Sequence, residues 1–376
     1  MTKILHLCSD YAGTPLYQEL VESLHLRGID QVIYVPVRSH ELVDRYRSEL
    51  LSETQYCYSK ILNPVSRLNY FAKINRIYND VVKRLETLSF NLIHAHFLFS
   101  DGGVAYKLKK EYNIDYIVTV RNTDINTFFR YLIHTRKIGL KILESANKIV
   151  FLSPSYLEIL LNRFVPDNLH RKFKEKSVII PNGINEYWLK NLNSPGKINK
   201  QICSLIYVGE FSRNKNIRSV IKVLDQIVRN GSSAELKIIG EYGNNVKQIK
   251  RLVKTRQQYI TSIPRISDRS DLMHLYRSAD IFIMPSLYET FGLAYVEAMS
   301  QGLPVIYSKG QGFAGLYEDG KVGFGVEPKN IKDIVAKIEL IAKNYEEMSK
   351  TCITEAGNYS WDRIALKFIS IYENQN

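Results

Sequence analysis

A two-domain α/β fold, each half a doubly wound parallel sheet, follows from three observations on this sequence. Short runs rich in Val and Ile alternate with longer stretches of helical period, the alternation occurs twice, and a polar stretch holding Ser194, Pro195 and Gly196 divides the two series. Nearly continuous apolar strands between helices imply a sheet covered on both faces. The Ser-Pro-Gly composition implies a linker. At 376 residues the chain is long enough for two cores of ordinary size.

In chain order, "KILHLC", "QVIYVPV", "LIHAHF", "YIVTV", "KIVFLS" and "SVIIPN" read as six strands of a first domain spanning residues 1–195. "SLIYVG", "LKIIG", "YITSI", "DIFIMP" and "LPVIYS" read as the strands of a second, spanning 196–359. The final "YSWDRIALKFISIYENQN", from about residue 360 to 376, reads as a helix that crosses back to the first domain. Two such sheets facing each other leave a cleft at the carboxyl ends of the strands, where ligands of open α/β folds bind. The loops after the strands are therefore where motifs count.

Composition narrows the class. No run of eighteen apolar residues occurs, and "MTKILHLCSD" lacks the apolar segment of a signal peptide, so a cytoplasmic protein is expected. Cys8, Cys57, Cys203 and Cys352 are far apart with no CxxC spacing, which implies neither disulfides nor zinc. The net charge of +13 favours phosphates, whether of nucleotides, nucleic acid or anionic lipid. One basic stretch stands out: "SKILNPVSRLNYFAKINRIYNDVVKRLETL" sets Ile74, Ile77, Val81, Leu85 and Leu88 at helical spacing, with Lys60, Arg67, Lys73, Arg76, Lys83 and Arg84 around them. Either a solvated basic face or a surface that docks on anionic lipid fits this pattern.

Chemistry concentrates in "PSLYETFGLAYVEAMSQGLPV", where Glu289 and Glu297 stand on either side of a turn and a helix starting near Gly292. The first-turn N–H groups of that helix lack internal partners, so Thr290, Phe291, Gly292 and Leu293 form a place for a phosphate or sugar oxygen. Carboxylates flanking it can accept hydrogen bonds from vicinal hydroxyls, or act as a general acid and base. In "YVGEFSRNKN", Gly209 allows close backbone approach while Arg213 and Lys215 supply positive charge. Cations preorganised there attract a phosphate.

Those two segments, with "DGKVGFGV" and "IIPNGI", resemble the retaining glycosyltransferases of family 4, the group 1 glycosyltransferases, whose fold is the two-Rossmann GT-B architecture. The resemblance is close over most of the second half and loose over the first. It implies retaining transfer of a hexosyl or related sugar from a nucleoside diphosphate, UDP-sugar favoured, to a hydroxyl of a lipid-linked polysaccharide or glycan intermediate. The nucleotide-sugar is a substrate, so no cofactor is expected. An anionic membrane surface is expected as a partner on the inner face of the membrane, and nucleic acid is not. In the family the first glutamate contacts donor-sugar hydroxyls and the second the ribose; those roles fall on Glu289 and Glu297. The chain has no DxD sequence, so metal-independent chemistry through Lys215, Arg213 and the helix N-terminus is expected, with no metal ligands. Relatives often carry Arg where this chain has Glu210.

On the acceptor side, "YAGTPLY" resembles the family's glycine loop, with Gly13 and Thr14 as candidates. His94 and His96 are expected to point to opposite faces, leaving His96 as the one toward the ligand. In "TVRNTDIN", Arg121 and Asn122 stand where relatives carry a histidine near the reacting centre, and Asp124 remains as a catalytic candidate. "GQGFAG" has dinucleotide-fingerprint spacing, yet it lies late in the second domain with Gly320, Gly323 and Gly325 close behind, so it reads as a donor-side loop. Two rival functions remain: a hydrolysing sugar-nucleotide epimerase of the same fold, which would release a free epimer without acceptor, and a non-catalytic nucleic-acid or lipid-binding module, which would not bind a nucleoside diphosphate.

Overall fold

The computed structural model of the chain describes residues 3–52, 55–63, 66, 69–84, 90–196 and 203–374. The chain forms two compact units, the first from Met1–Gly183 with Trp361–Asn376 and the second from Ile184–Ser360. Each is a parallel sheet with helices on both faces, the expected architecture.

The first unit holds β1 (Lys3–Leu7), β2 (Asp30–Val37), β3 (Tyr56–Lys60), β4 (Leu92–Ala95), β5 (Asp115–Val120), β6 (Lys148–Phe151) and β7 (Ser177–Ile179), in spatial order β3-β2-β1-β4-β5-β6-β7. Strand alternation splits its core in two. Leu5, Val32, Ile93 and Val118 face Ile74, Ile77 and Val81 of helix Tyr70–Arg84 and Val104 and Leu108 of helix Gly102–Tyr112. Ile4, Leu92 and Ile117 face the opposite way, onto Leu20 and Leu24 and onto Ile364, Phe368 and Tyr372 of helix Trp361–Glu373. That last helix is tied down by Trp361 Nε1 donating to Glu19 Oε2 at 2.6 Å and by an Arg27–Asp362 ion pair of 3.2 Å.

The second unit holds β8 (Cys203–Val208), β9 (Ala234–Ile239), β10 (Ile260–Ile263), β11 (Ile281–Ile283), β12 (Val305–Ser308) and β13 (Gly323–Val326), in order β10-β9-β8-β11-β12-β13. In both sheets the strand order reverses once, between β1 and β4 and between β8 and β11. Loops leaving those strands diverge at their carboxyl ends, which makes the reversal point the natural ligand site.

Three details differ from the sequence reading. The chain passes between units at Gly183 and Ile184, ahead of the Ser194–Gly196 stretch, because Trp188 of helix Glu186–Lys190 is buried against Tyr276 and commits that helix to the second unit. Two strands, β3 and β13, have no continuous apolar run; both are edge strands, so neither needs one. Some cations of the basic helix Tyr70–Arg84 are engaged within the unit: Lys73 Nζ lies 2.9 Å from Ser100 Oγ, Arg84 Nε donates to Asp80 at 3.2 Å, and Arg76, although exposed, donates to the Ile61 carbonyl at 3.2 Å. Lys60 and Lys83 are exposed, whereas Arg67, Leu85 and Leu88 lie outside the described residues.

Candidate active site

The loop after β8 and the loop after β11 meet at the reversal point of the second sheet, and Asn214 joins them. Its Oδ1 accepts from Tyr288 N at 2.9 Å, its Nδ2 donates to Tyr288 O at 2.8 Å, and its carbonyl accepts from Leu287 N at 2.7 Å. Held that way, Lys215 Nζ reaches Glu289 Oε2 at 2.6 Å, with 22 % and 10 % of the two side chains exposed. Ser286 Oγ lies 3.3 Å from the same carboxylate oxygen, and Thr290 N donates to Oε1 at 3.1 Å. Glu289 is thus a positioned carboxylate, not a solvated one.

The segment after β12 closes over this turn. Gly312 N donates to Glu289 O at 3.1 Å, and Glu289 N donates to Gln311 Oε1 at 3.3 Å. A Cβ on Gly312 would stand 2.2 Å from the Thr290 carbonyl, so no larger residue permits this approach. "GQGFAG" is therefore a loop packed on the Glu289 turn; it opens no helix.

Helix Leu293–Ser300 follows. Gly292 precedes it at φ +88°, and no side chain caps its N-terminus. Tyr295 N donates to Gly292 O at 2.9 Å, and the uncapped positive end of the helix suits an anion. Phe291 is buried against Phe313 and Tyr359, so the part it offers a ligand is backbone. One turn into the helix, half-buried Glu297 accepts from Tyr276 Oη at 3.4 Å. Burial and that carboxylate together push the Tyr276 hydroxyl well above its ordinary range. Gly209 follows β8, and Arg213 is exposed without a side-chain partner among the described residues.

The first unit assembles a second group at its own reversal point. Asp101 is buried after β4, and its two oxygens accept from Ser9 N at 3.2 and 3.3 Å; burial raises its carboxyl to about 7. Asp124 is buried as well, with Leu98 N (3.1 Å) and Arg121 N (2.8 Å) on one oxygen and Phe99 N (3.2 Å) on the other. Burial raises it to about 6, with the three amides pulling the other way. Its carboxylate braces the loop after β5 against the loop after β4, and both oxygens are occupied in doing so.

Arg121 is buried between the rings of Tyr17 and Phe97, at 5.2 and 5.6 Å. Its Nε donates to the His96 carbonyl at 3.1 Å and its Nη1 to Asn182 Oδ1 at 3.2 Å. Asn122 is half-buried and accepts from Asn126 Nδ2 at 2.6 Å. Gly13 is exposed at the end of the short turn Tyr11–Gly13, and Thr14 Oγ1 accepts from Leu16 N at 3.4 Å.

The expectation of opposed histidines is corrected. His94 and His96 are stacked with ring centroids 3.9 Å apart, because residues two apart in an extended chain project the same way. His6, opposite His94 in register, completes a buried trio, with His6 Nδ1 2.9 Å from His96 Nε2. His94 uses both nitrogens, toward Tyr372 Oη at 2.7 Å and Thr119 Oγ1 at 3.0 Å. Burial lowers all three imidazoles, His6 to about 3. Among the described residues this trio is the one group of His, Cys, Asp and Glu close enough to hold a metal, its ligand atoms lying within 4.8 Å of one another. Hydrogen bonds within the trio and to Tyr372 and Thr119 already engage a nitrogen on each ring.

A doubly wound pair of units with a lysine–glutamate pair at a helix N-terminus belongs to the sugar-transferring GT-B class. Residues 191–359 match the family described as "Glycosyl transferases group 1", and residues 16–187 match "Glycosyltransferase Family 4". The chain belongs to these group 1, family 4 glycosyltransferases. Over 323 residues it is 28 % identical to an uncharacterised glycosyltransferase of Methanocaldococcus jannaschii, covering 83 % of this chain and 84 % of that one. The sucrose-phosphate synthase of Thermosynechococcus elongatus has a similar fold, with a TM-score of 0.77 at 20 % identity over 99 % of this chain and 98 % of that one. So does Anabaena HepE, solved with UDP, with a TM-score of 0.75 at 14 % identity over 99 % of this chain and all (100 %) of that one. The chain is accordingly a glycosyltransferase that takes its sugar from a nucleotide donor.

Proposed function

We propose that this glycosyltransferase moves a hexose or related sugar, with retention, from a UDP-sugar to a hydroxyl of a lipid-linked polysaccharide or glycan intermediate, without a metal ion. The observation that carries this reading is the Lys215–Glu289 pair set beside the uncapped helix Leu293–Ser300. As the glycosyl bond breaks, negative charge grows on the diphosphate. Helix amides and the Lys215 ammonium are fixed where that charge appears, and exposed Arg213 adds to them. Glu289 accepts from donor-sugar hydroxyls while Glu297 accepts from the ribose. The complex of HepE with UDP supports the choice of base.

The acceptor belongs to the first unit, where Arg121, Asn122, His96, Gly13 and Thr14 lie around the carboxyl ends of β1, β4 and β5. A guanidinium is a hydrogen-bond donor only, so Arg121 binds an acceptor oxygen and does not remove a proton. Asp124 acts by holding Arg121 in place. The net charge of +13 supports peripheral attachment to the anionic inner face of a membrane, and among the described residues no helix is long and apolar enough to cross one.

The test is incubation with a panel of nucleotide-sugars and isolated lipid-linked glycan, with and without chelator. Expected are UDP release, a product whose anomeric configuration matches the donor, and a rate that survives chelator. Free epimer without acceptor would indicate the epimerase instead. An absolute need for magnesium or manganese would overturn the metal-free assignment.

A further inference from the structure

We infer that the first unit attaches to an anionic lipid surface by inserting Tyr131 and Ile133, which tip the loop between β5 and helix Arg136–Ser145. This deepens the membrane reading above, and rests on it.

The loop begins with the π-helical turn Asp124–Phe129 and ends in the short turn Ile133–Thr135. Its backbone is firmly held. Asp124 fixes its start, buried Phe129 packs against Phe99 and Phe164 at 5.2 and 5.4 Å, and Leu132 N donates to Phe128 O at 3.0 Å. Thr135 Oγ1 donates to Leu132 O at 2.7 Å, and Arg136 Nε donates to Phe129 O at 2.6 Å. Yet Tyr131 is 64 % exposed and Ile133 65 %. Two large apolar side chains directed at water from one organised turn are the exposed apolar feature that a lipid boundary would cover.

Nearby, Tyr70 packs its ring on Phe128 and Phe99, at 6.0 Å from each, which brings the first turn of helix Tyr70–Arg84 alongside, with Phe71 52 % exposed. Around the tip lie the cations Arg130, Arg136, Lys137 and Lys141. From Ile125 to Leu143 the sequence has no Asp or Glu, while Arg130, His134, Arg136, Lys137 and Lys141 fall within it. Arg130 lies over the Tyr131 ring at 5.4 Å. An apolar tip, a tyrosine and flanking cations suit the boundary between headgroups and acyl chains, where long basic side chains keep their charges in the headgroup layer. A second copy of this face would set like charges against like, so an anionic lipid surface is the favoured occupant.

The test uses the full chain with vesicles of phosphatidylcholine alone or mixed with phosphatidylglycerol. Tyr131→Ser combined with Ile133→Ser should weaken sedimentation with the mixed vesicles on the order of tenfold. UDP affinity and melting temperature should stay unchanged, since exposed substitutions rarely alter stability. The unsubstituted protein should keep a salt-resistant bound fraction that the double variant loses, and a Tyr131→Trp variant should be quenched by brominated acyl chains. Binding by the double variant equal to the parent's, or parent binding fully reversed by salt, would overturn insertion while leaving electrostatic attachment standing. No binding to either vesicle would overturn both; UDP-sugar turnover would then show separately that the transferase reading survives. Self-association in lipid-free buffer that the double variant abolishes would make a second copy the occupant, and would overturn the lipid assignment.

Discussion

Lys215 and Glu289 each keep the other's charge compensated, so a single replacement has two consequences at once. Lys215→Ala should slow transfer and also destabilise the second unit, by less than the about 3–5 kcal/mol of a fully buried broken pair because Lys215 retains some exposure. Adding Glu289→Gln should recover stability and not turnover; denaturant melts beside steady-state rates separate the two. For the glutamates, Glu289→Gln should impair transfer but leave binding of bare UDP nearly intact, whereas Glu297→Gln should weaken bare UDP on the order of tenfold. Calorimetry with UDP and with the full donor checks this, and equal losses from both variants would reverse the assignment. Asp124→Asn trades an acceptor oxygen for a donor facing backbone amides. Orphaning even one buried N–H costs about 1–3 kcal/mol, so a lower melting temperature is expected; unchanged stability with a collapsed rate would restore Asp124 to a catalytic role.

Among the elements, helix Leu293–Ser300 depends on one backbone conformation. Gly292→Ala forces a Cβ to within 2.3 Å of the Tyr295 ring at φ +88°, and such a backbone alone costs about 1–2 kcal/mol for a residue with a side chain. Reduced UDP affinity with a modest drop in melting temperature is expected from calorimetry and thermal unfolding. The helix and its flanking acids were legible in the sequence because they are local: turn, glycine and carboxylates lie within one short stretch. The eleven apolar runs were legible for the same reason, whereas β3, which ends in Ser59 and Lys60, and β13, in which Gly323 and Gly325 alternate with Phe324 and Val326, left no such mark. Contacts between distant segments were not. Asn214, Ser286 and Gln311 look like loop polarity until folding sets them on the Glu289 turn. Asp124 was legible as a candidate from its own segment, but its bonds to the Leu98 and Phe99 amides, far earlier in the chain, were not. The histidine pair was misread through strand parity alone.

At the scale of the molecule, buried ionisable groups set the response to acid. His6, His94 and His96 stay neutral in the fold, while in the unfolded chain they take up protons below about pH 6.5. Their contribution to stability is present above that pH and falls by about 1.4 kcal/mol per unit for each histidine as pH drops. Asp101 and Asp124 act oppositely. Raised to about 7 and about 6, they take up protons in the fold first, and so offset part of the loss between about pH 6 and 4. Below about pH 4 the unfolded chain protonates its own aspartates and the offset stops growing. Stability should therefore decline gently to about pH 4 and steeply beneath it. Denaturant unfolding at several pH values checks the shape; a uniform slope would contradict it.

The return of helix Trp361–Glu373 to the first unit has a consequence for synthesis. A ribosome finishes Ile184–Ser360 as one uninterrupted stretch, so the second unit has every strand it needs before the chain is complete. The first unit has its seven strands by then but still lacks its last helix. His94, made early, gains the hydroxyl of Tyr372 only after the whole second unit has emerged, and until then Ile4, Leu92 and Ile117 are covered by Leu20 and Leu24 but not by Ile364, Phe368 and Tyr372. The half of the protein that begins first is thus the half that finishes last, and chains truncated before Trp361 and released should expose part of that apolar face to chaperones while already binding UDP through the second unit.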